Sequence, residues 1–447
     1  MFGSSQVSPL QSGFTAFLLL IVGLAFIGLL KSPNRGYLSS LFFSAFLVRV
    51  IFVYIIYYYL IGAGGDGFAF IDDRTYDKAG IQIAAALRAG KEGYELHSWQ
   101  QNPGYFLFNG WLYSLLGRDT LSARMVNVLL SSLTVILIYE IVRILFETRV
   151  AKIAGLLAAF MPGMVYWGAL QFKDVALVFV MIYTIYLLVA KKDQKITVFS
   201  ILAVMLSLLV MWFLRKDFTL PYIGIILLWL TLRYTGLDSW FENMRQRGFS
   251  GIAAVVILIL GSGMLIGLAS TEAGGVFIER YDRITGDNEA FIEKASSAQI
   301  GFSRHLRINS LSDAYKLPFA VGFTVVAPLP TLALSANVKA KGMTLYSVTN
   351  VFFILLLPFV VLGFFLAKGM SIANSIMLRW FPIVILIGIS VVFMGVLRYK
   401  EQLMPFFLIW AAIGLSQRKK YKGILSSIYL IGITSVIVAI FLATTNR

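Results

Sequence analysis

Apolar runs of about 17 to 25 residues, the length a helix needs to cross a hydrocarbon core, recur along the chain. They place spans near 14–30, 38–62, 125–146, 153–170, 174–190, 197–214, 218–234, 251–270, 344–367, 380–397, 402–416 and 424–443. The polar breaks between them carry charge unevenly. Lys31/Arg35, Arg149/Lys152, Lys191/Lys192/Lys195, Arg233/Arg245/Arg247 and Arg418/Lys419/Lys420/Lys422 are basic and are expected at the cytoplasmic face. That orientation holds only if one further apolar stretch does not cross. "LPFAVGFTVVAPLPTLAL" (317–334) is that stretch, because Pro328 and Pro330 break helical hydrogen bonding. Irregular backbone at membrane depth must be buried in protein or line a cavity. The stretch is therefore expected as a re-entrant or interface-lying segment on the outer face. The expected fold is an all-α polytopic membrane protein of about twelve transmembrane helices in a single domain, 1–447, with both termini outside. Its outer-face loops carry juxtamembrane helices.

Composition agrees. The chain has 447 residues, 59% hydrophobic and 13% charged, against roughly a quarter charged in soluble domains. The net charge of +16 follows from cytoplasmic Lys and Arg and does not imply nucleic acid as a partner. There are no cysteines, hence no disulfide framework and no thiolate metal site. No Asn-x-Ser/Thr acceptor occurs, which leans towards a bacterial plasma membrane. The N-terminus lacks a charged n-region and a small-residue cleavage site, so the first span is expected to be retained.

On this topology four segments meet at the outer side. They are the first loop 63–124, the turn "QFKD" (171–174), the large loop 271–343 and the turn "RYKEQ" (398–402). The first loop opens with Asp66, Asp72, Asp73 and Asp77. "DDRTYDKAGIQIAAALRAG" starts like a helix, with Asp72 or Asp73 as cap and Gly90 as stop. Capping and dipole balance would explain one acid. They do not explain Asp73 and Asp77 four apart on one face, where like charges repel. A cation, an arginine or a substrate proton between them would. Such a carboxylate is suited to act as general base towards an acceptor hydroxyl. Asp73, Asp77 and His97 are also candidate ligands for a divalent ion, and no other cofactor is indicated.

Cations lie on the same side. Lys173, beside Asp174, either snorkels to the interface or binds phosphate. Arg398 stands at a membrane edge with Lys400 and Glu401 beside it, and arginine suits forked phosphate binding. The large loop adds Arg280, Arg283, Arg304, His305 and Arg307, and Arg215, Lys216 and Asp217 form another outer turn. Arg49 sits inside the second span, where a charge marks either a site or a structural pairing.

The stretch from Asp72 through "QNPGYFLFNGWLYSLLGRDTLSARMVNVLL" resembles the bacterial GT-C glycosyltransferases related to protein O-mannosyltransferases and aminoarabinose transferases. Those carry an acidic pair, a Tyr soon after, a Gly, a Pro-Gly or Pro-Pro segment, and Arg-x-x-Asn before the next span. Asp72, Asp73, Tyr76, Gly90, Pro103, Arg124 and Asn127 stand in that order. "AAFMPGMVYWGALQFKDVALVFV" and "RYKEQLMPFFLIWAAIGL" are similar to the family's second outer turn and its late Arg-Tyr…Pro segment. The resemblance covers most of 63–190 and 397–415. It implies a polyprenyl-phosphate-linked sugar donor, an active site at the outer membrane face, and Asp72 or Asp73 as catalytic base. Substrate contacts then fall to Tyr76, Arg124, Lys173, Asp174, Arg398, Arg304, His305 and Arg307. The chain is expected to depart from the pattern in having two spans before the acidic loop, no soluble C-terminal domain, and an unassigned 271–343 loop. The acceptor is a glycan, a lipid or a protein.

Two other functions fit twelve spans. An O-antigen polymerase or ligase would rely on the arginines and histidine of the large loop. A lipid-linked sugar flippase would place charge along a path through the spans, whereas here charge gathers at span ends.

Overall fold

The computed structural model describes residues 7–30, 32–90, 103–190, 197–235, 311–328, 341–367, 370–392, 397–427 and 429. These residues are helical, with no strand among them. Among the described residues, five helices are long and apolar enough to span a membrane: Pro9–Leu29 (α1), Arg35–Gly62 (α2), Thr120–Leu145 (α5), Thr344–Leu366 within α12, and Ile372–Ser390. A sixth arises if Thr148–Phe160 (α6) and Pro162–Gly168 (α7), bent by 53°, count as one. Between these lie Ile71–Arg88 (α3), Gly104–Leu116 (α4), Lys173–Val189 (α8), Val198–Leu214 (α9), Lys216–Tyr234 (α10) and Leu317–Val326 (α11). Lys341–Leu366 (α12), Ile372–Ser375 (α13), a π turn at Ile376–Trp380, Phe381–Val392 (α14), a 3-10 turn at Leu397–Leu403 and Met404–Ser416 (α15) complete the order. The expected span at 251–270 and nearly all of that at 424–443 lie outside the described residues.

Two of the apolar helices, α1 and α5, start where the sequence supplies a side-chain cap. Ser8 accepts from Gln11 N ahead of Pro9, and Asp119 accepts from Ser122 N at the head of α5. α5 is the hub. Most of its residues are buried, and it packs against α1, α2, α6 and α8. It begins five residues before the apolar run, so Arg124 and Asn127 lie within its first turns. The span expected at 380–397 likewise begins early, because the chain stays helical through Arg379. That guanidinium lies over the Phe364 ring at 4.7 Å, which eases a charge into apolar surroundings.

Two close approaches depend on glycine. A Cβ on Gly363 would stand 1.7 Å from Trp410 O, and one on Gly414 2.2 Å from Phe359 O, so α12 and α15 meet backbone to backbone. α3 and α4 also pack closely at a glycine, where the Ile83 side chain fills the space a Cβ on Gly110 would need, 2.2 Å from Ile83 Cγ2. This α3–α4 pair is the juxtamembrane element of the first loop.

Arg49 explains the α6–α7 bend. Pro162 has no N–H, so the carbonyl four residues earlier, Ala158 O, loses its helical partner. Arg49 Nη2 donates to Ala158 O at 3.0 Å, and Nη1 donates to Ala159 O at 2.9 Å and Ala45 O at 3.0 Å. Its Nε donates to Ser131 Oγ at 2.8 Å. The intramembrane charge found in the sequence thus serves a broken helix. α11, ten residues and about 15 Å long, is too short to span. Residues 329–334 of the Pro-Leu-Pro stretch lie outside the described residues.

Candidate functional site

The four acids of the first loop have different partners. Asp66 pairs with Arg74 at 2.7 Å. Asp73, fully buried, accepts from Ala69 N at 2.9 Å and Phe70 N at 3.0 Å, so it fastens the start of α3. Burial pushes its carboxyl up to about 6, against the pull of Arg124 and of these N–H groups. Asp77, also buried, accepts from Tyr113 Oη at 2.6 Å and Thr120 Oγ1 at 3.1 Å and lies 3.5 Å from Arg118 Nη2. It ties α3 to α4 and to the head of α5. Asp72 lies in the first turn of α3 and stays partly exposed. The geometry therefore splits the acidic pair: Asp73 has the environment of a cap, and Asp72 keeps access to the outside of the helix.

The Arg-x-x-Asn pair is internal. Arg124 is fully buried. Its Nη2 donates to Gly67 O at 2.7 Å and lies 4.0 Å from Asp73 Oδ2. The guanidinium stands 5.7 Å from the Phe68 ring. It anchors the loop leading into α3, which places it behind the acids rather than at a surface open to substrate. Asn127 Nδ2 donates to Leu170 O at 2.7 Å, Phe172 O at 3.0 Å and Tyr105 Oη at 3.0 Å. One amide thus holds the 171–174 turn against α4. Gln171 completes the junction, donating to Asn109 Oδ1 at 2.8 Å and Tyr113 Oη at 3.1 Å.

Tyr76 is buried among aromatics, 4.8 Å from Tyr105 and 5.0 Å from Phe106 between ring centroids. Burial holds its hydroxyl well above the usual range, and the nearby Asp174 adds to this. Phe70, next to the acids, stacks on Trp167 at 5.4 Å and meets Phe172 edge-on at 5.6 Å. The start of α3, α7 and the 171–174 turn are therefore one packed unit.

The second turn joins two more segments. Asp174 Oδ1 accepts from Arg215 Nη1 at 3.0 Å and from Gln402 Nε2 at 2.5 Å. Arg215 lies over the Tyr399 ring at 3.9 Å. Lys400, fully buried, donates to Val325 O at 3.1 Å, to Ala327 O, and to Asn350 Oδ1 at 2.7 Å. A cation at those last carbonyls of α11 satisfies orphan acceptors and the negative helix end. Burial lowers the Lys400 ammonium and raises the Glu401 carboxyl, each against its ordinary value. Tyr346 Oη of α12 donates to Glu401 Oε1 at 2.5 Å. Tyr399, Lys400, Glu401 and Gln402 therefore fasten four different parts of the molecule. A cavity opens beside them, lined by Ser131 and Thr134 of α5, Met164, Trp167 and Gly168 of α7, Asp174, Val175 and Val178 of α8, and Glu401.

The structure thus brings together the head of α3, the 171–174 turn, Arg215 and the 399–402 residues. Lys173 is half-buried at the first position of α8. Arg398 lies in the 397–403 turn, with its side chain outside what is described. His97, Arg304, His305 and Arg307 lie outside the described residues. Among the described residues, no group of three or more His, Asp or Glu side chains could share a metal ion. Glu401 and Gln402 are not site candidates on the sequence pattern alone. The available signal was four polar residues, "YKEQ", crowded between two apolar runs.

Residues 100–266 match the family of dolichyl-phosphate-mannose-protein mannosyltransferases. The matched segment contains Arg124, Asn127, Lys173, Asp174 and Arg215, and it begins after the acids of α3. No curated protein matches the chain.

Proposed function

Starting from a GT-C-type membrane glycosyltransferase, which the match over residues 100–266 indicates, we propose that the chain transfers a sugar from a polyprenyl-phosphate carrier. The acceptor is a glycan, lipid or protein hydroxyl at the outer face of a bacterial plasma membrane, in cell-envelope or exopolysaccharide assembly. The observation that carries this reading is the convergence of four separate polar segments at one end of an apolar bundle. They are held there by Asn127, Gln171, Arg215 and Gln402.

Asp72 is the catalytic base of this reading. It takes the proton of the acceptor hydroxyl as that oxygen bonds to the sugar's anomeric carbon. The bond from that carbon to the phosphate oxygen breaks, and the electron pair leaves with polyprenyl phosphate. The developing phosphate charge is met by Lys173 and Arg398, with Arg304, His305 and Arg307 contributed by the large outer loop. Charge-assisted donors are the strongest available for this purpose. Asp73 and Arg124 hold the α3 start so that Asp72 stays at its edge. The phosphate must stay near the interface while its isoprenoid tail lies in hydrocarbon, which fits a site at a bundle end.

The test is a transfer assay on purified protein with envelope extract as acceptor. Three donors are compared: polyprenyl-phosphate mannose, a polyprenyl-diphosphate-linked glycan and a nucleotide sugar. Parallel arms contain EDTA or added Mg2+. Transfer from the monophosphate donor is expected. Transfer from the diphosphate-linked glycan alone would favour a polymerase or ligase.

A further inference from the structure

The cavity beside α7 is small, about 40 Å3. That is room for about three waters, or for the hydroxyl-bearing edge of a ring. Its charged lining consists of Asp174 and Glu401, both more than nine-tenths buried. Each has one oxygen occupied. Asp174 Oδ1 receives both Gln402 Nε2 and Arg215 Nη1, and Glu401 Oε1 receives Tyr346 Oη. The second oxygens, Asp174 Oδ2 and Glu401 Oε2, receive no hydrogen bond among the described residues. In the same lining Trp167 Nε1 is buried without a hydrogen-bond partner among the described residues, and a buried N–H left without an acceptor is costly, so the cavity calls for a group that both accepts from this N–H and donates to the carboxylates.

The surroundings select the ligand. The two carboxylates disfavour an anion, so this is not the phosphate site. Arg215 pairs with Asp174 at 3.0 Å, so that acid is already balanced and a cation gains little there. A neutral group rich in O–H donors remains. Trp167 supplies one apolar wall, suited to the C–H face of a ring.

We propose that Asp174 Oδ2 and Glu401 Oε2 form a recognition subsite for hydroxyls of the transferred sugar. Gln402 is its positioning residue: by holding Oδ1, it turns Oδ2 of Asp174 towards the cavity. This rests on the sugar-donor reading above.

The test uses purified full-length protein, polyprenyl-phosphate mannose and its mono-deoxy analogues, with envelope extract as acceptor. Sites built to bond a substrate hydroxyl reject the analogue that lacks it. In wild type, at least one deoxy donor should lose about tenfold to a thousandfold in kcat/KM. In Glu401→Gln or Asp174→Asn the penalty for the hydroxyl held by that acid should shrink to less than about threefold, with the other penalties unchanged. Gln402→Leu should raise KM more than it lowers kcat, and should add less than about threefold on top of Asp174→Asn. Wild type indifferent to every deoxy donor would overturn the subsite, as would deoxy penalties that are the same in the acid variants as in wild type. Full multiplication of the Gln402 and Asp174 effects would overturn the positioning role. Absence of transfer from any polyprenyl-phosphate sugar would fell the donor reading, and the subsite with it.

Discussion

Asp72 and Asp73 are neighbours with opposite surroundings, and the difference is testable one residue at a time. Asp73 is sealed at the start of α3 with its carboxyl raised to about 6 by burial. An acid whose folded value lies above its unfolded value near 4 stabilises the fold while protonated. That contribution is complete below about pH 4 and is lost as pH rises through about 6. Asp73→Asn should therefore flatten the dependence of the unfolding temperature on pH across that window in detergent. It should also lower stability at neutral pH by about 1 kcal/mol, since an amide offers one acceptor oxygen to the three backbone donors of Ala69, Phe70 and Arg74. A pH profile identical to wild type would show that Asp73 does not titrate there. The sequence already pointed to the acidic pair and to helix capping. It could not divide the roles, because Arg124 and the Ala69 and Phe70 N–H groups reach Asp73 only through the fold. The Lys173→Ala and Arg398→Ala variants belong to the same scale. Each should cut turnover by about one to three orders of magnitude, as loss of a transition-state donor does, with membrane insertion intact. Wild-type turnover in both would remove them from the mechanism.

At the scale of elements, the α6–α7 bend and the 397–403 turn do the positioning. Arg49→Leu would leave Ala158 O and Ala159 O without their side-chain donors, at a cost of about 2 to 4 kcal/mol. Because α7 carries the cavity wall, transfer should fall along with stability. Arg49→Lys should recover part of both, since an ammonium reaches some of the same carbonyls. A variant Arg49→Leu as stable as wild type would mean the bend holds itself. The charge in the second span and the proline at 162 were both visible in the sequence. Their connection was not, because the two lie more than a hundred residues apart. The same holds for Gln402 and Asp174, 228 residues apart. Periodicity and caps report neighbours along a helix, and so they recovered α3, α5 and α8 but not the bonds between them. Span ends shifted where a charged side chain found an internal partner, as Arg124 and Arg379 do.

At the scale of the molecule, the account requires the converging end to face outward. The chain has no native cysteine, so single-cysteine labelling reports orientation directly. Lys400 is buried and is a poor probe, whereas Lys78 on α3 and Lys420 after α15 are exposed. An impermeant maleimide should label position 78 from outside and position 420 only after permeabilisation. The reverse pattern would put the site in the cytoplasm. The central claim is more specific: a hydroxyl arriving from outside loses its proton to Asp72 while the sugar leaves a lipid phosphate. Its most direct test is the initial rate of sugar transfer from polyprenyl-phosphate mannose by purified Asp72→Asn, measured beside wild type and Asp73→Asn. The amide keeps the shape of the carboxylate and loses its basicity, so Asp72→Asn should fall by at least about a hundredfold while still binding donor. Asp73→Asn should stay within about tenfold of wild type once folded. Wild-type transfer by Asp72→Asn would contradict the account and leave the acids of the first loop with structural roles alone.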